Sequence, residues 1–300
     1  MDLRLEKLRA QGIYIGTSSW KYDGWKDLVY HRPYRSQKQF NDECLNEYAE
    51  HFTAVGVDHT YYAWPNPSQI KRYTEQTPAA FRFCLKATER VTVFQYPKLK
   101  RYGKEAGKPN ESFLNAGEFE DNFLIPLEAF SKRLGPVLIE FSHFYPGMLS
   151  SGREFVEKLD RFLEQVARHK AFEFAVEIRN SNWICTPYFE TLKRHGVGHV
   201  FNSWTRVPSI GEQLDALGNV PLSLYAARLL LAQGTKYEQA VEAFSPYNEL
   251  KESHPAIREQ TAKLIRQAKL AGIAAYVFVN NRFEGCAPLT IAAILDSLGS

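Results

Sequence analysis

The stretch FEFAVEIR, residues 172–179, alternates large apolar side chains with small or charged ones. The apolar set is Phe172, Phe174, Val176 and Ile178, and the other set is Glu173, Ala175, Glu177 and Arg179. Successive side chains of a β-strand point to opposite faces, so each set occupies one face. In a barrel, the apolar face packs against surrounding helices and the other face points inward. The segment therefore predicts a barrel strand that carries Glu177 and Arg179 into the interior at its carboxyl end.

Seven further runs have a strand pattern and alternate with amphipathic helical stretches. The eight predicted strands are Ile13–Thr17, Ala54–Thr60, Phe81–Lys86, Pro136–Phe141, Phe172–Ile178, Val197–Asn202, Leu222–Leu229 and Ala275–Asn280. The longest connections from strand to helix are Ser18–Ser36, Ala87–Asn122 and Leu230–His254. Repeated βαβ units with long loops at one end predict an α/β fold, a single (β/α)8 barrel of the TIM type. We expect this domain to span residues 13–300, with residues 1–12 as an N-terminal extension.

Two alternatives to this topology are open at the level of sequence. An open, doubly wound sheet has the same alternation of strands and helices, although no G-x-G-x-x-G follows a predicted strand. The segment LYAARLLLAQ, residues 224–233, fits a helix almost as well as a strand by its periodicity. An open sheet, or a helix over Leu222–Ala232, would contradict the barrel.

Composition and spacing argue against several classes of protein. The net charge of +3 over 300 residues is too small to predict a nucleic-acid partner. Four cysteines lie far apart without a C-x-x-C pair, which favours free thiols and a cytoplasmic location. The first residues lack an apolar stretch typical of a signal peptide, and no apolar run approaches membrane-spanning length. The eight histidines have no H-x-H or H-E-x-x-H spacing, so we expect neither a metal nor another cofactor.

Charged residues concentrate at the predicted carboxyl ends of the strands. The alternation sends inward Gly56, Asp58 and Thr60, then Arg82, Cys84 and Lys86, and then Tyr276, Phe278 and Asn280. Asp58, Lys86, Glu177, Arg179 and Asn280 should then converge on one pocket at the end where barrel enzymes hold their sites. The direction of Glu140 and Arg228 is less certain. Buried charges are costly unless they are paired or functional, so a functional site and a structural salt-bridge network both fit.

Aromatic residues fall in the same loops. All five tryptophans lie in predicted strand-to-helix connections, as does Tyr62. Trp20, Tyr62 and Trp183 are candidates for stacking on the faces of a sugar or a base. Rings that only cover the top of the barrel are the alternative interpretation.

Long motifs resemble one known family. GTSSWKYDGWKDLVY (16–30), HTYYAWP (59–65), EQTPAAFRFCLKATERVT (75–92), AVEIRNSNW (175–183) and FVNNRFEGCAP (278–288) follow the order seen in the domain-of-unknown-function 72 (YecE-like) family. The resemblance implies a TIM-type barrel whose signature positions are Asp58, Lys86, Glu177, Arg179, Arg228, Asn280 and Asn281. Many members have Glu at the position of Asp58, Gln at that of Glu140 and His at that of Leu230, which suggests a divergent subfamily. The family implies no established reaction.

Two hypotheses for function follow. In the first, an enzyme, such as a hydrolase or lyase, acts on a small anionic or polyhydroxylated ligand. Its predicted ligand-binding residues are Lys86, Arg179, Arg228, Asn280, Asn281, Trp20, Tyr62 and Trp183, and its predicted catalytic residues are Asp58, Glu177 and Glu140. A glycosidase with two carboxylates is one variant of it. In the second, a non-catalytic module binds single-stranded nucleic acid or another partner through the aromatic loops and the basic segment KLKRYGKEAGK, residues 98–108.

Overall fold

The computed structural model describes residues 2–299, in which eight parallel strands surround a packed interior. The strands are β1 (Ile13–Thr17), β2 (Ala54–Val57), β3 (Arg82–Leu85), β4 (Val137–Phe141), β5 (Phe174–Ile178), β6 (Gly198–Ser203), β7 (Leu224–Leu229) and β8 (Ala274–Val279). The α-helical segments are α1 (Leu3–Ala10), α2 (Gln37–His51), α3 (Pro67–Glu75), α4 (Glu89–Thr92), α5 (Ala116–Phe119), α6 (Ile125–Leu127), α7 (Gly152–Val166), α8 (Thr186–His195), α9 (Ile210–Leu217), α10 (Tyr237–Phe244), α11 (Pro255–Ala271), α12 (Asn281–Glu284) and α13 (Ala287–Leu298).

The sheet closes between its two edge strands. Its order is β3-β2-β1-β8-β7-β6-β5-β4. The edges β3 and β4 meet through two isolated parallel bridges, Phe83 with Leu134 and Lys86 with Leu138. The N–H of Ala87 donates to the carbonyl oxygen of Leu138 at 2.9 Å. This closure confirms the barrel and excludes the open sheet.

The structure resolves two points about the predicted strands. The seventh is indeed a strand and not a helix, because β7 pairs in parallel with both β6 and β8 and is buried throughout. The second ends at Val57 and not at Thr60, because Asp58–Tyr61 forms a turn of 3-10 helix. Thr60 is tied into this turn, since its hydroxyl donates to the carbonyl oxygens of Val57 and Lys86. Asp58 thus reaches the barrel mouth from a turn, where the prediction had placed it on the strand.

The lower interior of the barrel is apolar. One cluster consists of Leu138, Ala175, Val200, Leu224 and Ala226, and another of Ala54, Cys84, Tyr276 and Phe278. Alternate residues of the same strands, such as Ile139, Val176 and Phe201, belong to the larger core between strands and helices. This confirms the predicted alternation, and it directs the next inward residue of each strand into the mouth.

Local signals fix where the helices begin and end. The Ser36 hydroxyl caps α2 by accepting from the N–H of Gln39 at 3.1 Å. Gly196 and Gly272 end α8 and α11 in the left-handed region, at φ 67° and 65°. The N-terminal helix α1 packs Leu5 and Leu8 into the main core. All four cysteines are free thiols. Over residues 2–299, no helix has both the length and the apolar character needed to cross a membrane.

Candidate functional site

Six charged side chains meet at the carboxyl ends of the strands, and we call them the charged layer. They are Asp58 after β2, Lys86 after β3, Glu140 on β4, Glu177 on β5, Arg179 after β5 and Arg228 on β7. Glu140 and Glu177 are direct partners in the β4–β5 register. Each strand residue of the layer lies two positions beyond an apolar interior residue, as Glu177 follows Ala175. Strand alternation therefore accounts for their direction.

Glu140 lies at the centre of this layer. Its Oε2 is 2.9 Å from Lys86 Nζ and 2.7 Å from Arg228 Nη1. Its Oε1 is 2.8 Å from Arg179 Nη2. One buried carboxylate thus contacts all three cations, and the direction left uncertain by the sequence is inward.

Arg228 spans the barrel interior from β7. Its Nη1 donates to Glu177 Oε2 at 2.5 Å as well as to Glu140. Its Nη2 lies 3.6 Å from Asp58 Oδ1, on the far side of the mouth. Burial opposes the charge of Arg228, but the carboxylates of Glu177 and Glu140 outweigh burial and raise its pKa. The guanidinium is consequently a permanent cation that joins both halves of the layer.

The carboxylate of Glu140 is held in its ionised form. Burial favours the protonated acid, but the charges of Arg179, Lys86 and Arg228 outweigh it and hold the pKa of Glu140 well below its usual range. Glu177 is fully buried, and its Oε1 accepts from Nε and Nη2 of Arg179, both at 3.2 Å. Glu140 therefore does not resemble the protonated acid that glycoside hydrolysis requires.

Asp58 is the most solvent-accessible member of the layer. Its side chain is 39% exposed, and its Oδ1 lies 3.1 Å from Lys86 Nζ. Three carboxylates face three cations across the layer, so its formal charge is balanced.

A cleft of about 790 Å³ opens above one side of the layer. Residues 92–98, 142–145, 204–206 and 235–238, in the loops after β3, β4, β6 and β7, form most of its wall. Arg179 is the member of the charged layer that lines it. The Arg179 guanidinium lies 4.4 Å from the centre of the Trp204 ring, a cation–π contact. The cleft therefore meets the buried charges at this one side chain.

The lining of the cleft is basic and aromatic. Lys98, Arg179, Arg206 and Lys236 outnumber the single carboxylate, Glu238. Its aromatic side chains are Phe94, Tyr96, Phe144, Tyr145, Trp204 and Tyr237, together with the imidazole of His143. The cleft lining is therefore net basic, whereas the charged layer is balanced.

The other sequence-predicted residues lie outside the charged layer's contacts. Asn280 caps the short helix α12, because its Oδ1 accepts from the N–H of Arg282 at 3.0 Å. Asn281 holds the start of α13 by accepting from the N–H of Ala287 at 2.8 Å. Both asparagines are buried. Their described contacts are those of helix caps through Oδ1, and the ligand-binding role stays a prediction.

The predicted aromatic residues also divide by environment. Trp20 is buried edge-on against Tyr73. Trp183 is buried and stacks on Phe144 and Phe155, with ring centres 5.2 and 5.3 Å away. Tyr62 is 59% exposed, with the Arg101 guanidinium over its ring. Trp20 and Trp183 are thus core side chains, and burial of these large rings opposes the stacking role predicted for them.

Three residues at the mouth are not among the site residues predicted from the sequence, although Trp204 is one of the five loop tryptophans. Trp204 and His143 line the cleft, and Asn202 lies on the inward side of β6 below Trp204. Alternation in VGHVFN, residues 197–202, gives Gly198, Val200 and Asn202 as one set, but both sets contain valine and neither is clearly the outer one. Because the two faces of this strand do not differ clearly in polarity, the sequence did not indicate that Asn202 points inward. Residues 2–299 also hold no group of three His, Cys, Asp or Glu side chains placed to bind a metal.

Comparisons with known proteins identify relatives over most of the chain. The model of the family described as "Protein of unknown function DUF72" matches residues 14–300. The UPF0759 protein YunF of Bacillus subtilis is 28% identical over 219 residues, which cover 71% of this chain and 66% of YunF. The UPF0759 protein YecE of Escherichia coli is 38% identical over 74 residues, 25% of this chain and 23% of YecE. These alignments span less than two thirds of either relative.

Solved structures agree on the fold. A DUF72 family protein from Thermotoga maritima has a TM-score of 0.60 at 22% identity, with 95% of this chain and 97% of that chain covered. A DUF72 family protein from Enterococcus faecalis has a TM-score of 0.64 at 17% identity, with 96% of each chain covered. At these identities the likeness shows the barrel and nothing about the ligand.

Proposed function

The chain belongs to the DUF72 family, and we propose that it binds a small anionic ligand in the cleft at the barrel mouth and acts on it by acid–base chemistry. One observation carries the proposal: Arg179 lines the 790 Å³ cleft while two buried glutamates and Trp204 hold its guanidinium in place. A fixed guanidinium binds carboxylate or phosphate oxygens at low entropic cost. Buried ion pairs are retained in barrels chiefly where they orient such a group or close the fold.

The surroundings of Arg179 favour an anion. Lys98, Arg206 and Lys236 add three further cations to the lining, against one carboxylate. A cleft with low-dielectric walls and one sign of charge concentrates ions of the opposite sign. The volume suits a small molecule. A sulfate, phosphate or carboxylate group beside Arg179 is therefore the proposed guest.

Two groups are suited to move protons. Asp58 is the exposed carboxylate of the layer, and its described ion pairs use Oδ1 alone. His143 lines the cleft, and its Nδ1 lies 3.3 Å from the carbonyl oxygen of Arg179. Since that oxygen accepts, Nδ1 carries the hydrogen, and Nε2 of the neutral ring is left as the acceptor. We propose a hydrolase or lyase with Asp58 or His143 as its base, and with Glu140 and Glu177 as anchors of the cations.

The test replaces Arg179 by Lys, which keeps the charge and removes the forked donor geometry. Wild-type protein should be stabilised by inorganic phosphate in a thermal shift titration, and Arg179→Lys should weaken phosphate binding about tenfold. Arg153→Lys, at a side chain 89% exposed on α7, is the matched control and should bind as the wild type does. Equal affinity of the Arg179 variant and the control would contradict the proposal.

Binding of single-stranded nucleic acid is the second candidate. Two exposed rings of the cleft, those of Tyr145 and Tyr237, favour it, because the unpaired bases of such a ligand can stack on aromatic side chains. The basic segment 98–108 offers fewer free charges than its sequence indicates, because Arg101 pairs with Glu89 and Lys108 with Glu105. Affinity for a single-stranded oligonucleotide that falls steeply with salt, at a site that phosphate does not occupy, would favour this alternative.

A further inference from the structure

The Asn202 amide on β6 is a buried polar group without a partner. The side chain is fully buried, and neither its Oδ1 nor its Nδ2 has a hydrogen-bond partner within residues 2–299. The backbone of the same residue is satisfied: its N–H donates to Gln213 Oε1, and its carbonyl oxygen accepts from Gln213 Nε2 at 2.8 Å. An orphaned buried amide is costly, and native proteins rarely keep one without a reason.

Asn202 points into the barrel at the level of the charged layer. Val200, two residues earlier, belongs to the apolar interior cluster, whereas Phe201 belongs to the outer core. Alternation therefore directs the Asn202 side chain inward. In the β6–β7 register, Asn202 is the direct partner of Arg228. The orphaned amide thus lies on the strand position next to Arg228, the residue whose guanidinium joins both halves of the layer.

The amide lies one step below the floor of the cleft. Glu177 and Arg179 are two residues apart on one inward face, and Asn202 and Trp204 are spaced in the same way. Arg179 and Trp204 line the cleft, whereas Glu177 and Asn202 do not. Asn202 therefore lies one inward position below Trp204, whose ring the Arg179 guanidinium contacts. A ligand held at Arg179 needs a further group of its own to reach the amide.

We infer that Asn202 binds the ligand through hydroxyl groups, so that the ligand is a hydroxylated anion such as a sugar phosphate or a hydroxy acid. The inference rests on the proposed anion site at Arg179. A carboxamide offers a donor at Nδ2 and an acceptor at Oδ1, and a hydroxyl group can accept and donate in turn. The charged neighbours are already paired with one another, so the missing complement of Asn202 is neutral. Ser18 Oγ, directly after β1, and Asn281 Nδ2, after β8, are other buried polar atoms without a hydrogen-bond partner within residues 2–299.

The first measurement asks whether the amide is truly without a partner. Leucine has nearly the shape of asparagine and no polar atoms, so Asn202→Leu should leave the melting temperature of the free protein unchanged or raise it. The matched control is Asn180→Leu, a buried asparagine whose Oδ1 accepts from the N–H of Phe144 and whose Nδ2 donates to its carbonyl oxygen, both at 2.9 Å. The control should lower the melting temperature by several degrees. An equal loss in the two variants would overturn the inference.

The second measurement separates this inference from the anion site itself. Calorimetry compares inorganic phosphate with ribose 5-phosphate on the wild type and on Asn202→Leu, with Asn202→Ala as a replacement if leucine prevents folding. We expect about a tenfold loss of affinity for ribose 5-phosphate and little change for phosphate. Unchanged affinity for both anions overturns the role of Asn202 and leaves the anion site standing. No binding of either anion by the wild type overturns both.

Discussion

The barrel interior contains two unlike regions, the apolar layers near its middle and the charged layer at its mouth. The apolar layers are built from residues such as Leu138, Ala175 and Val200. The charged layer begins one inward position later on the same strands, with Glu140 and Glu177. Both regions are buried, and the same strand alternation builds both. The chemistry of the side chains is therefore the main difference between them.

Burial alone does not explain why one of these regions is apolar and the other is charged. Apolar side chains stabilise the fold in proportion to the surface they remove from water. Buried ion pairs lose much of their Coulomb energy to desolvation, so well-packed apolar residues could close a barrel equally well. The charged layer is thus poorly explained by stability, which supports our proposal that it orients Arg179 at the cleft.

The largest expected effect comes from removing the centre of the charged layer. Glu140→Ala should lower the free energy of unfolding by about 3–5 kcal/mol, because it deprives Lys86, Arg179 and Arg228 of a shared partner in a buried site. Urea denaturation at neutral pH measures this loss. Asp58→Ala, at a half-exposed carboxylate, is the comparison and should cost at most about 1 kcal/mol. Similar losses in both variants would mean that the layer is as well solvated as the surface.

A polar group on the outer face of β6 should give a smaller, pH-dependent effect. His199 is fully buried; its Nε2 lies 3.1 Å from Gln213 Oε1, and its Nδ1 lies 2.9 Å from the Tyr188 hydroxyl. Burial lowers the pKa of His199 from 6.5 to about 4. Between these values the unfolded chain binds more protons than the folded one, so stability is full above pH 6.5 and falls by about 3 kcal/mol as the pH decreases toward 4.

Replacing His199 by Gln tests this origin of the pH dependence, because the glutamine amide can form hydrogen bonds but does not titrate. The variant should lose most of the slope of stability between pH 6.5 and 4 in urea denaturation measured across that range. Part of the slope should remain, because burial also lowers the pKa of His51 and His59. A second slope should persist at lower pH, because Glu140, whose pKa is depressed, contributes stability above its unfolded value of 4.5 and loses it as the pH falls further. An unchanged slope in the variant would show that the pKa of His199 is not depressed in the fold.

The smallest effect should come from an ion pair outside the barrel. Arg153 and Glu157 are four residues apart on α7 with a 3.0 Å contact, and both side chains are largely exposed. Glu157→Ala should change the free energy of unfolding by less than about 0.5 kcal/mol, since water and salt screen such pairs. The same denaturation experiment measures it. A cost near that of Glu140→Ala would remove the contrast between buried and exposed charges.

Much of the site could be predicted from single strands. Asp58, Lys86, Glu177 and Arg179 converge as the alternation in their segments indicates. Asn280 satisfies the same rule, but its amide is engaged in capping α12. Capping is decided by the path of the chain after the strand, and alternation within the strand carries no information about that path. The tryptophans illustrate the same point, since a loop position does not reveal whether a ring packs inward or faces a ligand.

The sequence by itself determined the succession of strands and helices and the inward face of most strands, because strand alternation, helix caps and loop lengths are local properties that a few neighbouring residues set. The closure of the sheet between β3 and β4 was decided by the tertiary structure. The tertiary structure alone decided which charges pair. Arg228 reaches Glu140 on β4 and approaches Asp58 after β2, and these contacts join residues 88 positions apart and further. It also decided that the side-chain amide of Asn202 has no hydrogen-bond partner within residues 2–299, and that Arg179 is the member of the charged layer that lines the cleft. Such outcomes depend on how long side chains pack across a closed interior, where the neighbours come from strands distant in sequence.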